Sequence, residues 1–240
     1  MKTNLKFFKK KKFLPVDKFF KNVLYDEKIG YYATKKPFGL KGDFITAPQI
    51  SKLFSEIIAI WIVSTWQIFG NPKKFNIVEL GPGDGSLMKT LLETFKRFPD
   101  FNKAKTIYLY EVSNFLKGIQ KKNIKNKKVK WIKNFQHMNS GPVIFFGNEF
   151  FDAIPIKQFK RKKDLMFEKY FTFNENNKIT EIFKKAAEKD ISIINSYKSL
   201  INLKFIEFPK FGLEELKKIV NRISKKEGCL LMIDYGYLKS

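Results

Sequence analysis

Three glycines at alternate positions, Gly81, Gly83 and Gly85, follow Glu79 and surround Asp84 in the run Val78-Glu79-Leu80-Gly81-Pro82-Gly83-Asp84-Gly85. Glycine leaves the backbone bare, so a ligand can approach it closely. Where a helix starts after such a turn, its first N–H groups have no partner within the helix and can donate to that ligand. The spacing separates two ligand chemistries. A dinucleotide fingerprint needs a third glycine three residues after the second, for helix–strand packing; here that position is Ser86. Glu79 and Asp84 would also repel a pyrophosphate. They suit the sulfonium and ammonium groups of S-adenosylmethionine, which carries no phosphate. Glu79, Gly81, Pro82, Gly83 and Gly85 are therefore expected to cradle that cofactor. The plain alternative is a glycine turn that joins a strand to a helix and binds nothing.

Two further sets of residues extend the candidate site. The stretch Thr106-Ile107-Tyr108-Leu109-Tyr110-Glu111-Val112 reads as a strand closed by an acid. An acid at the end of the second strand of such a fold takes ribose hydroxyls, so Glu111, with Val112 beside it, joins the cofactor set. The alternative is an exposed strand-end carboxylate. A later strand ends at Gly147-Asn148-Glu149-Phe150-Phe151-Asp152. Ligands of open α/β sheets lie at the carboxyl ends of the strands, which should bring Asn148, Glu149 and Asp152 near Glu79, Gly83 and Glu111. An asparagine followed by an aromatic residue can hold a target nitrogen with its lone pair towards a methyl group. Asn148 with Phe151 matches that pattern in part. Glu149 and Asp152 can instead grip a guanidinium through charge-assisted bonds, or be ordinary acids of a strand-end loop.

These residues need a scaffold, and the apolar pattern supplies one. Strands are expected at 76–80, 107–112, 129–132, 143–147 and 229–234, with helices between them, which argues for a parallel, Rossmann-like α/β sheet. Leu87, Met88, Leu91 and Leu92 have helical spacing directly after the glycine turn. Residues 1–72 form an N-terminal helical region with a loop. Pro15 enters an amphipathic helix, a Gly- and aromatic-rich loop runs from Gly30 to Pro48, and Ser51 caps a long apolar helix that Gly70-Asn71-Pro72 ends. Residues 73–240 form the cofactor-binding core, with an insertion at 156–205 that includes a β-hairpin, 169–173 against 178–183. Gly212 to Lys226 is a helix with Leu213, Leu216, Ile219, Val220 and Ile223 on one face.

Composition removes several function classes. The chain has 240 residues, 44% hydrophobic with 27 Phe, which marks a globular protein. No apolar run reaches the ~20 residues needed to span a bilayer, and the N-terminus lacks a signal core. Cys229 is the only cysteine and His137 the only histidine, so no Cys/His metal set and no histidine triad can be assembled. Cys229 lies in an apolar run and is expected in the core. A reducing cytoplasm fits this usage. The net charge of +24 invites a nucleic-acid partner, but only Arg97, Arg161 and Arg222 are arginines. Arginine is the usual reader of phosphate and base edges, so the lysines are read as a solvated coat and no specific nucleic-acid partner is expected.

At this point the sequence resembles the MidA-like methyltransferases, the family of a mitochondrial complex I assembly factor and its bacterial relatives. The resemblance rests on Gly30-Tyr31-Tyr32, on Gly42-Asp43-Phe44-Ile45-Thr46-Ala47-Pro48 with Ile50-Ser51 and Phe54, on Glu79 to Gly83, on Glu111-Val112-Ser113, on Asn148 to Ala153 with Pro155, and on Ile233-Asp234-Tyr235-Gly236. It implies a class I methyltransferase with S-adenosylmethionine as donor. The acceptor it implies is a protein arginine, on a respiratory-complex subunit. It also implies that the loop carrying Gly42, Asp43, Thr46 and Ser51 covers the active site, and that Glu149, Asp152 and Asn148 serve the acceptor. The compartment would be the cytoplasm in a bacterium or the mitochondrial matrix in a eukaryote. Gln49 and Thr90 depart from acids expected at those positions. Rivals on the same core are an RNA or DNA methyltransferase and a non-catalytic assembly scaffold. Five parallel strands can be counted, and only Tyr235 to Ser240 follows the fifth, so the last two of the family's seven core strands are expected to be missing.

Overall fold

The computed structural model describes residues 13–34, 51–173 and 178–236. Contacts divide these residues into two compact units. One joins the described residues up to Gly30 with Ile154–Glu215; the other joins Tyr31–Ala153 with the described residues from Leu216 onwards. In chain order the strands are β1 (Phe13–Pro15), β2 (Phe75–Leu80), β3 (Lys105–Tyr110), β4 (Lys130–Ile132), β5 (Val143–Asn148), β6 (Lys157–Lys162), β7 (Leu165–Phe173), β8 (Ile179–Lys185), β9 (Phe205–Phe208) and β10 (Gly228–Ile233).

The larger unit is built on a parallel sheet in the order β10-β5-β2-β3-β4. All six residues of β2 are buried, because a parallel sheet of this kind is covered on both faces. Side chains alternate between two cores. Phe75 and Ile77 pack with Ile58, Ile62 and Trp66 of the Lys52–Ile68 helix and with Leu91 and Phe95 of the Ser86–Phe95 helix. Val78 and Leu80 face the other way, towards Tyr110, Phe145 and Ile219. The expected parallel strands are all present, with ends shifted by one or two residues. β3 stops at Tyr110 and β10 at Ile233, which leaves Glu111 and Asp234 just past their strands, free to turn into a site.

The smaller unit is an antiparallel sheet in which β1, β6 and β8 pair with β7, and β9 pairs with β6. The expected hairpin exists as β7 with β8, Thr172 opposite Thr180, but it is one part of a five-stranded sheet. The N-terminal region is not helical throughout its described part: Phe13–Pro15 is a strand, with Leu14 opposite Phe171. The contact boundaries also differ from the division expected at residue 72. They group the Lys52–Ile68 helix with the parallel sheet and the Val16–Tyr25 helix with the antiparallel one. Inside the smaller unit Lys157, only 11% exposed, pairs with Glu168 and lies 3.4 Å from Asp190 and 4.0 Å from Asp17. Lys210 Nζ lies 2.6 Å from the other Asp190 oxygen.

Three local expectations change. Ser51 stands at the N-cap position of the Lys52–Ile68 helix in extended backbone, but its side chain makes no capping bond. The last helix begins at Lys210, and Val220 is exposed while Ile219 is fully buried. One position is 100° of helix, enough to carry Val220 off the buried stripe. Cys229 is half-buried against the core. Among the described residues no helix is long and apolar enough to cross a membrane.

Candidate active site

The turn after β2 requires its glycines. Gly81, Gly83 and Gly85 have φ of +60°, +56° and +84°, the left-handed region that side chains disfavour. Space is tight as well: a Cβ on Gly81 would lie 2.9 Å from the Phe150 ring, and one on Gly85 would lie 3.0 Å from Ile124 Cδ1, so a side chain at either would displace its neighbour. The turn is pinned to its surroundings. Gly81 N–H donates to the Tyr110 carbonyl at 3.1 Å, and Gly85 N–H donates to the buried Pro82's carbonyl at 2.8 Å. Asp84 Oδ1 accepts the Ser86 N–H at 2.9 Å. That amide opens the helix, so it serves the turn itself and not a ligand.

Glu111 is no exposed strand-end acid. It is 6% exposed. One oxygen accepts the Ser113 N–H at 2.8 Å and the other accepts from Gln120 Nε2 at 3.0 Å. Burial raises its carboxyl above the ordinary range, and the bonds from Ser113, Gln120 and the Val112 amide, with Lys117 nearby, pull it back. The Val112 side chain is half exposed beside it. Gln120 also donates to the Gly83 carbonyl at 2.9 Å, and its own carbonyl accepts the Trp131 indole N–H at 2.8 Å. One buried amide thus joins the glycine turn, the second-strand acid and β4.

Glu79 points from the end of β2 into the interior and is 3% exposed. Its Oε2 has no hydrogen-bond partner among the described residues. Burial, with the negative charge of Asp84 as the lesser cause, pushes its carboxyl up to about 8. A buried acid in this state is an unsatisfied acceptor that a cation would relieve.

The acids after β5 form a second group. Asn148 ends β5 opposite Ile233. Glu149 has φ of +53° and donates its N–H to the Ile233 carbonyl at 2.8 Å. A non-glycine residue held there is strained, and such strain collects at functional sites. Tyr235 Oη donates to Glu149 Oε1 at 3.1 Å. Asp234 accepts the Asp152 N–H on one oxygen at 3.2 Å and the Tyr235 N–H on the other at 2.8 Å. Partial burial first, then Asp234 and Glu149, pushes the Asp152 carboxyl up to about 6, although the residue faces solvent. Burial and Asp152 raise the Tyr32 phenol, and the Tyr32 carbonyl accepts the Ser113 hydroxyl at 3.0 Å. The Phe150 ring connects the two groups: it faces Gly81 and packs edge-on to Tyr110 at 6.2 Å and to Phe151 at 5.1 Å.

The candidate residues therefore converge on the carboxyl edge of one sheet. Gly42, Asp43 and Thr46 lie outside the described residues, and Ser51 is described only as the start of its helix. Gln120, Trp131, Tyr32, Asp234 and Tyr235 were not singled out as site residues from sequence. A signal for Gln120 was available: with Leu116 and Ile124 it forms a stripe at i, i+4 and i+8, and a polar residue within such a stripe needs a buried partner.

A parallel sheet in this order, with a glycine turn after the first core strand and a buried acid after the second, is the class I methyltransferase arrangement. Residues 57–240 match the model of the family described as "Putative S-adenosyl-L-methionine-dependent methyltransferase", and the chain belongs to that family. It is 28% identical over 258 residues to "Protein arginine methyltransferase NDUFAF7, mitochondrial" of Xenopus laevis, an alignment covering 94% of this chain and 57% of the relative. It is 30% identical over 238 residues to the Caenorhabditis elegans homolog of the same name, covering 87% of this chain and 55% of that protein. A crystal structure from Burkholderia thailandensis bound to S-adenosyl-homocysteine shares the fold, with a TM-score of 0.77 at 18% identity, over 97% of this chain and 61% of that one. The chain spans a little over half the length of these curated relatives. The family is the one that the sequence resembled.

Proposed function

We propose that this chain binds S-adenosylmethionine at the carboxyl edge of its parallel sheet and transfers the methyl group to an arginine of a protein partner. The observation that carries the reading is the junction of Gly83, Gln120 and Glu111, with the unpartnered Glu79 oxygen at the root of the same turn. These residues fit the donor. The turn leaves bare backbone where the methionine portion would pass, along Gly81, Pro82, Gly83 and Gly85. Glu79 faces positive charge, Glu111 accepts from the ribose hydroxyls, and Val112 flanks the base. A metal plays no part in this reading.

The donor, when bound, supplies an electrophilic methyl group next to a positive sulfur. The rest is the work of the chain. Asn148, Glu149 and Asp152 hold the acceptor nitrogen in line with that methyl group, and two carboxylates match the paired N–H edges of a guanidinium better than they match a single ammonium. Glu149, braced by the Tyr235 hydroxyl, takes the proton that the guanidinium sheds around transfer. Rate gain then comes from proximity and fixed electrostatics. By family resemblance the partner is a respiratory-complex subunit, met in the bacterial cytoplasm or the mitochondrial matrix.

Calorimetry with S-adenosylhomocysteine tests the donor half without knowledge of the acceptor; absence of binding would overturn the reading. Transfer of labelled methyl to arginine-containing peptides, against lysine-containing controls, tests the acceptor half. Donor binding with no transfer to arginine would favour the scaffold alternative.

A further inference from the structure

We infer that Gln120 is a positioning residue that gives the donor site its selectivity for an intact ribose. This inference rests on the donor reading above. Gln120 is fully buried, and every hydrogen-bonding group of its amide is engaged. Nε2 donates to the Gly83 carbonyl at 2.9 Å and to Glu111 Oε2 at 3.0 Å, and Oε1 accepts from the Trp131 indole at 2.8 Å. The indole can only donate. It therefore permits one orientation of the amide, since the flipped form would set N–H against N–H and a carbonyl oxygen against two other oxygens.

The consequence falls on Glu111. Ser113 N–H holds one carboxylate oxygen at 2.8 Å and Gln120 holds the other. With the Val112 amide as a third donor, about one of the carboxylate's four lone-pair directions stays open, so the group is fixed at both ends yet able to accept from a ribose hydroxyl. These bonds, with Lys117 nearby, favour its ionised form against the pull of burial, and that form accepts most strongly. Helix packing alone does not call for glutamine here. Leu116 and Ile124, one turn to either side, are buried apolar residues, so the amide answers to its partners Gly83, Glu111 and Trp131 and not to the apolar stripe.

Calorimetry with S-adenosylhomocysteine and its 2′-deoxy analogue tests the inference on wild type, Gln120→Leu and Trp131→Phe. Wild type should prefer the intact ribose. Gln120→Leu should lose about tenfold in affinity for S-adenosylhomocysteine, the scale of one hydrogen bond to a charged group, and little for the analogue, so that the preference collapses. Trp131→Phe keeps an aromatic ring but removes the indole N–H together with some ring volume, and should reduce the preference in part. Equal losses for both ligands would make Gln120 a mere scaffold residue and overturn the inference, as would a preference retained in Gln120→Leu. If Gln120→Leu does not fold, Trp131→Phe decides, and a full wild-type preference there overturns the inference. Failure of wild type to bind either ligand defeats the donor reading itself, a separate outcome.

Discussion

Glu79→Gln should stabilise the ligand-free protein at pH 8 and leave it nearly unchanged at pH 5. Glu79 is buried with one oxygen unpartnered among the described residues, and its carboxyl is pushed from 4.5 to about 8, by burial first and by Asp84 second. Glutamine copies the shape and neutrality of the protonated acid. The folded carboxyl binds its proton more tightly than the unfolded one. Between pH 4.5 and about 8 the native state therefore holds more protons, and the stability owed to this residue falls as pH rises through that window. At pH 7 the loss relative to glutamine is on the order of 3 kcal/mol, from ~1.36 kcal/mol per unit over the gap between 4.5 and 7. Urea unfolding of both proteins at pH 5, 7 and 8 measures it. Stability curves that run parallel from pH 5 to 8 would refute the reasoning. The same argument predicts proton release when the cationic donor binds wild type near pH 7. Calorimetry in buffers of different ionisation enthalpy should detect that release, and it should vanish in Glu79→Gln.

Other expectations follow from the same geometry. Glu111→Ala should weaken donor binding by roughly 1–3 kcal/mol, the scale for lost hydrogen bonds to a charged group. Gly83→Val should abolish binding, because a branched side chain must adopt φ near +56° in the cradle; calorimetry checks both. Asp152→Ala should leave donor affinity nearly unchanged and lower methyl transfer to arginine peptides. With its carboxyl near 6, wild-type transfer should fall as pH drops through that value, and an initial-rate profile reads it. Lys157→Met should cost about 3–5 kcal/mol in urea unfolding, the scale for leaving buried carboxylates without their cation, here Glu168 and Asp17, while Asp190 keeps Lys210.

The sequence by itself determined the parallel sheet, the glycine turn and the line-up of acids. Each of these is written locally. Six successive buried residues in β2 match a run that is apolar apart from Asn76 and Glu79, and left-handed backbone at three alternate positions, Gly81, Gly83 and Gly85, favours glycine at each. The tertiary structure decided what those residues meet. Whether Glu111 is exposed or buried depends on Gln120 and Trp131, which arrive on the next helix and strand. Tyr32 reaches Ser113 across 81 positions, Asp234 reaches Asp152 across 82, and Tyr235 reaches Glu149 across 86. Phe13–Pro15 becomes a strand because β7 offers it an edge. Periodicity records which face a residue turns inward, since that depends on near neighbours in the chain. It holds no record of which distant strand lies beside it, and in this protein that adjacency assembles both halves of the candidate site.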